Sequence, residues 1–256
     1  MLLKDKTAII TGCNRGIGRE IMQSFSENGA TVLACVRKID DDFNNLIKKI
    51  SNKSLNKIVP FQLNLNNEED VLKTATSILS ENKEIDILLN NAGIIHTASF
   101  QMTSKKKIKE IFEVNFFSQC LFTQLISKNM IKNRSGSIIN MSSISAEDGN
   151  EGRAAYSASK AAFATYSKVL SRELGKFNVR VNVISPGLID TDMLKKNTSE
   201  EIILDMTKKI SLGKIGVPSQ VSNTALFLAS DLSKISINLL TTNPLLTTNP
   251  QTMGYS

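Results

Sequence analysis

Short apolar segments alternate with longer amphipathic segments along most of the chain, and this alternation limits the fold more than any other feature. The strand-like segments span residues 7–11, 31–36, 58–63, 85–90, 137–142 and 179–184. Helix-like segments lie between them, at residues 17–28, 41–50, 68–82, 104–130 and 155–176. The alternation predicts an α/β fold, a doubly wound parallel sheet with helices on both faces. In such folds ligands bind beyond the carboxyl ends of the strands.

The domain organisation follows from the absence of any linker or shift in composition. The 256 residues fit one large α/β domain, which we place at residues 1–240. Residues 241–256 form an atypical tail, because the hexapeptide Leu-Leu-Thr-Thr-Asn-Pro occurs twice in tandem over residues 239–250. Pro244 and Pro250 forbid a regular interior strand, so we expect the chain to be mobile from about Asn243 onward.

A glycine-rich turn follows the first strand-like segment. Its sequence is Thr11-Gly12-Cys13-Asn14-Arg15-Gly16-Ile17-Gly18. Gly12 would allow the sharp turn, Gly16 would let the backbone approach a pyrophosphate, and Gly18 would let the next helix pack against the sheet. The spacing is G-x-x-x-G-x-G, so the general dinucleotide fingerprint does not strictly match. The position between a strand and an amphipathic helix favours a phosphate-binding turn over an ordinary glycine-rich loop.

A tyrosine and a lysine share one helix face in the second half of the chain. Lys160 follows Tyr156 by four residues, and Ser143 precedes the tyrosine by thirteen. Alone, this pattern also describes a helix surface with a snorkelling lysine. Together with the glycine-rich turn, it suggests that a nicotinamide cofactor and a proton donor meet in one site.

Composition excludes several other functions. No segment approaches the roughly 20 apolar residues of a membrane helix, and no signal peptide is expected. The net charge of +7 comes from scattered lysines without interleaved aromatic residues, so we expect no nucleic-acid partner. Cys13, Cys35 and Cys120 lack metal-ligand spacing, which favours a reduced, cytoplasmic protein. His96 is the single histidine, so no imidazole pair can bind a metal, and we assign it no role.

The ordered motifs make the chain similar to the classical short-chain dehydrogenase/reductase family over residues 3–235. The matching motifs are Thr11-Gly12…Gly16-Ile17-Gly18, Asn90-Asn91-Ala92-Gly93, Asn115, Ser143, Tyr156-Ser157-Ala158-Ser159-Lys160 and Pro186-Gly187. Each is weak alone, but six in this order and spacing are very specific. The resemblance implies a Rossmann fold and a catalytic tetrad of Asn115, Ser143, Tyr156 and Lys160.

The chemistry of these side chains agrees with that tetrad. A free phenol has a pKa of about 10. An ammonium group about 4 Å away contributes up to roughly 4 kcal/mol at an effective dielectric constant of 20. We therefore expect Lys160 to lower the pKa of Tyr156 and to hold the ribose hydroxyls. Ser143 would donate a hydrogen bond to the substrate carbonyl. Asn115 would hold a water in a proton relay, or else be a helix-kink residue bonded to backbone.

Two arginines indicate the cofactor. Arg37 stands at the end of the second strand-like segment, where NAD-binding folds place an acid, and Arg15 lies in the glycine-rich turn. Two guanidinium groups favour the 2′-phosphate of NADP(H), although three aspartates follow at 40–42. The resemblance also implies cofactor contacts from Asn14, Ile17, Asn64, Leu65, Asn91, Ala92, Gly93, Pro186, Gly187, Ile189 and Thr191. Asp is more usual at position 64.

Within the family, the chain is most similar to 3-oxoacyl-acyl-carrier-protein reductases. Segments 62–65, 186–193 and 212–216 support this, and Arg134 and Arg172 match positions that dock the carrier protein. Segment 99–103 lacks a common Met-Arg-Met stretch. The alternatives are a reductase of a sugar, polyol or other small carbonyl, and a cofactor-binding protein without turnover. We expect a homo-oligomer, a tetramer or dimer, with the divergent tail weakening any tetramer.

Overall fold

The computed structural model describes residues 1–52, 56–235 and 239–242, the last four by their backbone alone. The strands are β1 Thr7–Thr11, β2 Thr31–Val36, β3 Ile58–Gln62, β4 Ile87–Asn90, β5 Gly136–Met141, β6 Val179–Pro186 and β7 Leu239–Thr242. The helices are α1 Gly16–Glu27, α2 Asp41–Ser51, α3 Glu68–Glu81, α4 Lys105–Phe112, α5 Ser118–Asn133, α6 Ser145–Asp148, α7 Ala154–Leu174, α8 Asp192–Asn197, α9 Glu200–Lys208 and α10 Pro218–Ala229.

The strands form one parallel sheet in the order β3-β2-β1-β4-β5-β6-β7. The chain runs outward from β1 to β3, then crosses to the other side of β1 to enter β4. The strand order therefore reverses between β1 and β4, and at such a switch point the connections leave a crevice at the carboxyl ends. The glycine-rich turn after β1 and the Asn90–Gly93 segment after β4 meet there.

Two apolar cores lie on opposite faces of the sheet, because alternate side chains of a strand point in opposite directions. In β1, Ile10 joins the core covered by α1, α2 and α10, whereas Ile9 joins the core under α3 and α5. Phe25 of α1 and Phe122 of α5 are fully buried, one in each core. The predicted α/β class, with a doubly wound parallel sheet and helices on both faces, is confirmed.

The long helix predicted over residues 104–130 is wrong in one respect. α4 ends at Phe112, a π-helical turn spans Glu113–Phe117, and α5 continues to Asn133. A π turn inserts one extra residue into a helix without ending the amphipathic pattern, so the sequence does not mark it. The prediction also lacked the helices α6, α8, α9 and α10 and the strand β7 that follows them.

The first four residues of the repeated hexapeptide form the last strand. β7 pairs with β6 in parallel, Leu239 opposite Val183 and Thr242 opposite Pro186. Among the described strands it is the edge strand next to β6. The boundary that we placed at residue 240 falls within this strand, and the division into one domain and a tail stays a proposal. Residues 243–256, which we predicted to be mobile, lie outside the described residues.

Candidate active site

A cavity of about 340 Å³ opens at the carboxyl edge of the sheet. All the residues that the sequence assigned to the cofactor line it, and so does every tetrad member except Asn115. The cavity is therefore the place where the predicted cofactor and proton-transfer groups meet.

No helix among the described residues is long and apolar enough to span a membrane. The same residues hold no cluster of three or more His, Cys, Asp or Glu side chains that could bind a metal ion.

The glycine-rich turn is shaped by close backbone approach. Gly12 has φ +73°, and its N–H donates to the carbonyl of Cys35 at 2.8 Å. A Cβ atom on Gly12 would lie 2.9 Å from the Cα of Ala92. One on Gly18 would overlap the carbonyl oxygen of Gly12. The turn has no room for side chains at these two positions, which keeps the first turn of α1 open to a ligand.

Thr11 and Asn91 join the ends of β1 and β4. The Thr11 hydroxyl accepts from the backbone N–H groups of Asn91 and Ala92, both at 3.0 Å. The Asn91 side-chain amide donates to the carbonyls of Thr11 at 3.0 Å and Gly12 at 3.1 Å. Both hydrogens of the Asn91 side-chain amide therefore bond to protein carbonyls. The amide oxygen is the side-chain atom left to contact the adenosine ribose that we predicted beside it.

The proton-transfer groups come from β5 and α7. Ser142 and Ser143 directly follow β5, and Tyr156 and Lys160 lie in the first two turns of α7. The Ser142 hydroxyl donates to the Lys160 carbonyl at 3.0 Å, which ties the strand end to the helix. The Lys160 side chain is buried, and its Nζ donates to the carbonyl of Met141 at 2.7 Å. The structure thus brings Ser143, Tyr156 and Lys160 to one wall of the cavity.

The pKa values correct one expectation. Burial raises the pKa of Tyr156, and the Ser143 hydrogen bond and the positive charge of Arg153 oppose that effect only in part. Burial lowers the pKa of Lys160 to about 8. We expected Lys160 to lower the pKa of Tyr156, but the ammonium donates to Met141, and Arg153 is the cation that acts on the phenol. The phenol is protonated at neutral pH, as a proton donor to a carbonyl must be.

Asn115 lies in the π turn between α4 and α5. Its Oδ1 accepts from the N–H of Ile94 at 2.8 Å, and its Nδ2 donates to the Ile94 carbonyl at 2.9 Å and to the Ser159 hydroxyl at 3.1 Å. The side chain therefore holds the loop after β4, which matches the alternative of a kink residue bonded to backbone. A Cβ on Gly93 would lie 3.3 Å from Asn115 Oδ1 and 3.4 Å from Lys160 Nζ, so the two residues flank Gly93. The water relay stays a prediction.

The role of Gln119 was not predicted from the sequence. Its Nε2 lies within hydrogen-bonding distance of the carbonyls of Ala92, Val114 and Asn115, at 2.8, 3.1 and 3.2 Å. A π turn disrupts the regular i→i−4 ladder and leaves carbonyls that need other donors. Gln119 supplies that donor and links the π turn to the Asn90–Gly93 segment. A glutamine in a helix is otherwise unremarkable, so only the geometry identifies it.

The two arginines predicted to bind a phosphate lie exposed at the cavity rim. No carboxylate in the described part of the chain lies within 4.0 Å of either Arg15 or Arg37. The aspartates that follow do not line the cavity. Asp40 caps α2 by accepting from the N–H of Phe43 at 3.0 Å, and Asp41 and Asp42 lie in the first turn of that helix. Both guanidinium groups are thus open to an anionic ligand.

The proposed carrier-protein residues lie elsewhere. Arg134 follows α5, and its Nη2 donates to the carbonyl of Lys176 at 3.1 Å. Arg172 is exposed in the last turn of α7. Because β5 and β6 begin directly after these helices, both arginines lie at the amino-terminal edge of the sheet, opposite the cavity. Neither lines the cavity.

Comparisons with known proteins agree with this geometry. The family model for short chain dehydrogenases matches residues 6–202. The chain is 37% identical over 231 residues to a 3-oxoacyl-acyl-carrier-protein reductase from Chlamydia trachomatis, covering 90% of this chain and 92% of the relative. It is 32% identical over 233 residues to an NAD-dependent glycerol dehydrogenase from Listeria innocua, covering 91% and 90%.

A solved structure shows the same fold. It is described as an NAD(P)-dependent gluconate 5-dehydrogenase from Beutenbergia cavernae with bound NADP at low occupancy. The TM-score is 0.89 at 28% identity, covering 93% of this chain and 95% of that one.

Proposed function

The chain belongs to the short-chain dehydrogenase family of nicotinamide-dependent oxidoreductases, and we propose that it uses NADPH to reduce a 3-oxoacyl thioester on acyl carrier protein to the 3-hydroxyacyl form. The observation that carries the proposal is the single cavity lined by both the glycine-rich turn and the Ser143, Tyr156 and Lys160 side chains. A cofactor with a 2′-phosphate fits this site, because the turn excludes Cβ atoms and two unpaired guanidinium groups lie at its rim.

Each side chain has a separate role in the proposed reaction. When bound, the nicotinamide supplies the hydride that adds to the carbonyl carbon. Ser143 donates a hydrogen bond to the carbonyl oxygen, where negative charge develops. Tyr156 gives its proton to that oxygen, so the products are an alcohol and the oxidised cofactor. The Lys160 ammonium holds the ribose hydroxyls and supports proton return to the phenol. Asn115 and Gln119 hold the loop beside them.

The cofactor preference is directly testable. We expect NADPH to bind at least about tenfold more tightly than NADH, because Arg15 and Arg37 can form charge-assisted bonds to the 2′-phosphate. Arg37→Ala should shrink the preference mainly by weakening NADPH binding. Dissociation constants from titration of the intrinsic NADPH fluorescence would measure both effects.

The matched control is Lys38→Ala, which removes the neighbouring exposed charge at a position that does not line the cavity. It should leave the ratio near the wild-type value. Equal affinities for the two cofactors in the wild-type protein, or a preference for NADH, would contradict the proposal.

The choice of an acyl substrate rests on the cavity wall and on the relatives. Ile95, Met193 and Leu194 line the cavity. Apolar side chains of this kind suit an alkyl chain better than a polyol. The carrier-protein reductase from Chlamydia trachomatis also shares 37% identity with the chain. Docking of the acidic carrier on Arg134 and Arg172 stays a separate prediction, because both lie at the sheet edge opposite the cavity. The glycerol and gluconate dehydrogenases among the relatives support the alternative, a reductase of a small sugar or polyol.

A substrate panel tests the proposal. With saturating NADPH, we expect kcat/KM for an acetoacetyl thioester to exceed that for 5-oxogluconate or dihydroxyacetone by at least about tenfold, since apolar burial favours the acyl chain. A higher kcat/KM for either ketose would favour the alternative. Tight NADPH binding without product from any of these carbonyls would indicate a cofactor-binding protein without turnover.

A further inference from the structure

Arg153 places a positive charge inside the cavity, beside the phenol of Tyr156. It is the residue directly before α7, and it lines the cavity together with Ser145 and Asn150. The side chain is half-buried, and its Nη2 donates to the Thr198 hydroxyl at 2.9 Å. Thr198 directly follows α8, so this bond ties the guanidinium to the end of that helix.

This guanidinium has no counter-ion within the described ranges. No carboxylate oxygen there lies within 4.0 Å of it. The nearby acids do not compensate for the charge. The pKa of Asp148 is raised by burial and by Glu147, and no arginine lowers it. A partly buried charge without a partner costs free energy, and Thr198 uses only one of the five N–H donors of the group.

The position of Arg153 indicates what its partner is. Arg15 and Arg37 line the cavity with the glycine-rich turn, where the proposed function assigns them to the cofactor phosphate. Arg153 lies instead at the end where a carbonyl would be reduced, close enough that its charge opposes the rise in the pKa of Tyr156. A ligand group that meets Arg153 therefore belongs to the substrate and not to the cofactor.

We propose that Arg153 binds a second oxygen of the substrate, carried two carbons from the reacting carbonyl as the thioester carbonyl or the carboxylate of a 3-oxoacyl unit. The inference rests on the proposed function, because it takes Tyr156 as the proton donor. The planar guanidinium offers donors that match such an acceptor, whereas a lone ketone would leave them unpaired. Sites that are built to hydrogen-bond a substrate group reject analogues that lack it. Arg153 would thus select 3-oxoacyl compounds over simple ketones.

The test compares three methyl ketones that differ in the group carried two carbons from the reacting carbonyl. They are acetoacetyl-N-acetylcysteamine, which has a thioester carbonyl, acetoacetate, which has a carboxylate, and butan-2-one, which has neither. The proteins are the wild type, Arg153→Gln, Arg153→Lys, and Lys168→Gln as a control that removes an exposed charge from the same helix. Steady-state kinetics with saturating NADPH give kcat and KM for each pair.

For Arg153→Gln we expect KM to rise at least about tenfold for the thioester, the acetoacetate or both, and kcat/KM to fall much less for butan-2-one, where only the effect of Arg153 on Tyr156 is lost. A larger loss on acetoacetate identifies a carboxylate as the bound group, and a larger loss on the thioester identifies its carbonyl. Arg153→Lys should keep part of the selectivity, and Lys168→Gln should match the wild type.

Two results would overturn the assignment of Arg153. One is an equal loss on all three substrates, which would mean that Arg153 acts only through Tyr156. The other is no loss on any. Failure of the proposed function looks different, since the wild-type protein would then leave both acetoacetyl compounds unreduced while it reduced ketoses.

Discussion

Replacing Tyr156 with Phe should lower carbonyl reduction by roughly 10²–10⁴-fold, because that is what a positioned general acid contributes and no other described cavity group is placed to supply the proton. The phenol oxygen is the only atom removed. The aromatic ring should keep its packing, so the dissociation constant for NADPH should stay within about threefold of the wild-type value. Single-turnover kinetics, together with the NADPH titration, separate the loss of chemistry from any loss of binding.

The control for this variant is Tyr166→Phe. Tyr166 lies on the same helix but does not line the cavity. It should retain turnover close to that of the wild type. Wild-type-like turnover by Tyr156→Phe would show that another group protonates the substrate oxygen and that the assignment of the phenol is wrong.

Replacing Lys160 with Met should abolish most turnover and yet stabilise the protein at neutral pH. Burial lowers the pKa of Lys160 to about 8 from an ordinary 10.5, so keeping it charged in the folded protein costs about 3 kcal/mol. Methionine fills a similar volume without a charge. Allowing about 2 kcal/mol for the lost charge-assisted hydrogen bond to Met141, we expect the free energy of unfolding at pH 7 to rise by about 1 kcal/mol.

The lowered pKa of Lys160 also predicts how the stability gain of Lys160→Met changes with pH. Below pH 8 the lysine is charged in both the folded and unfolded states, so the full burial penalty is present. Between about pH 8 and 10.5 the unfolded state binds more protons, so the contribution of Lys160 to stability improves as pH rises. The gain of Lys160→Met over the wild type should therefore shrink across that window.

Denaturant unfolding at several pH values measures this gain. Lys168→Met, an exposed lysine on the same helix, should show neither the gain nor its pH dependence. A Lys160→Met protein that is less stable than the wild type at pH 7 would contradict the account of a buried, functionally required charge.

The sequence predicted those parts of the molecule that depend on local patterns. The apolar segments predicted six strands of the sheet, and the glycine-rich turn predicted one wall of the cavity, because a tight turn with no room for Cβ atoms requires glycine at fixed places. The Tyr156–Lys160 spacing likewise predicted that the two side chains lie on one helix face, because residues four apart in a helix are neighbours. Each of these features is set by residues that are close in sequence.

The remaining features depend on contacts between distant segments. Gln119 is recognisable only once the π turn brings carbonyls from two segments to it, and a π turn leaves the amphipathic pattern intact. In the sequence Arg153 looks like a surface arginine, and only the fold shows that it bonds to Thr198 and lines the same cavity as Tyr156. The direction of the Tyr156 pKa shift was misjudged because spacing along a helix does not reveal burial, which outweighs the nearby charges here.

The central claim is that the cavity places a reduced nicotinamide against the 3-oxo carbon of an acyl thioester. The most direct measurement uses NADPH carrying deuterium at both C4 positions of the nicotinamide ring, with an acetoacetyl thioester on acyl carrier protein. Mass spectrometry of the product should show a 3-hydroxybutyryl group with one deuterium at C3. If no deuterated 3-hydroxyacyl product forms while NADPH binds normally, the claim is wrong.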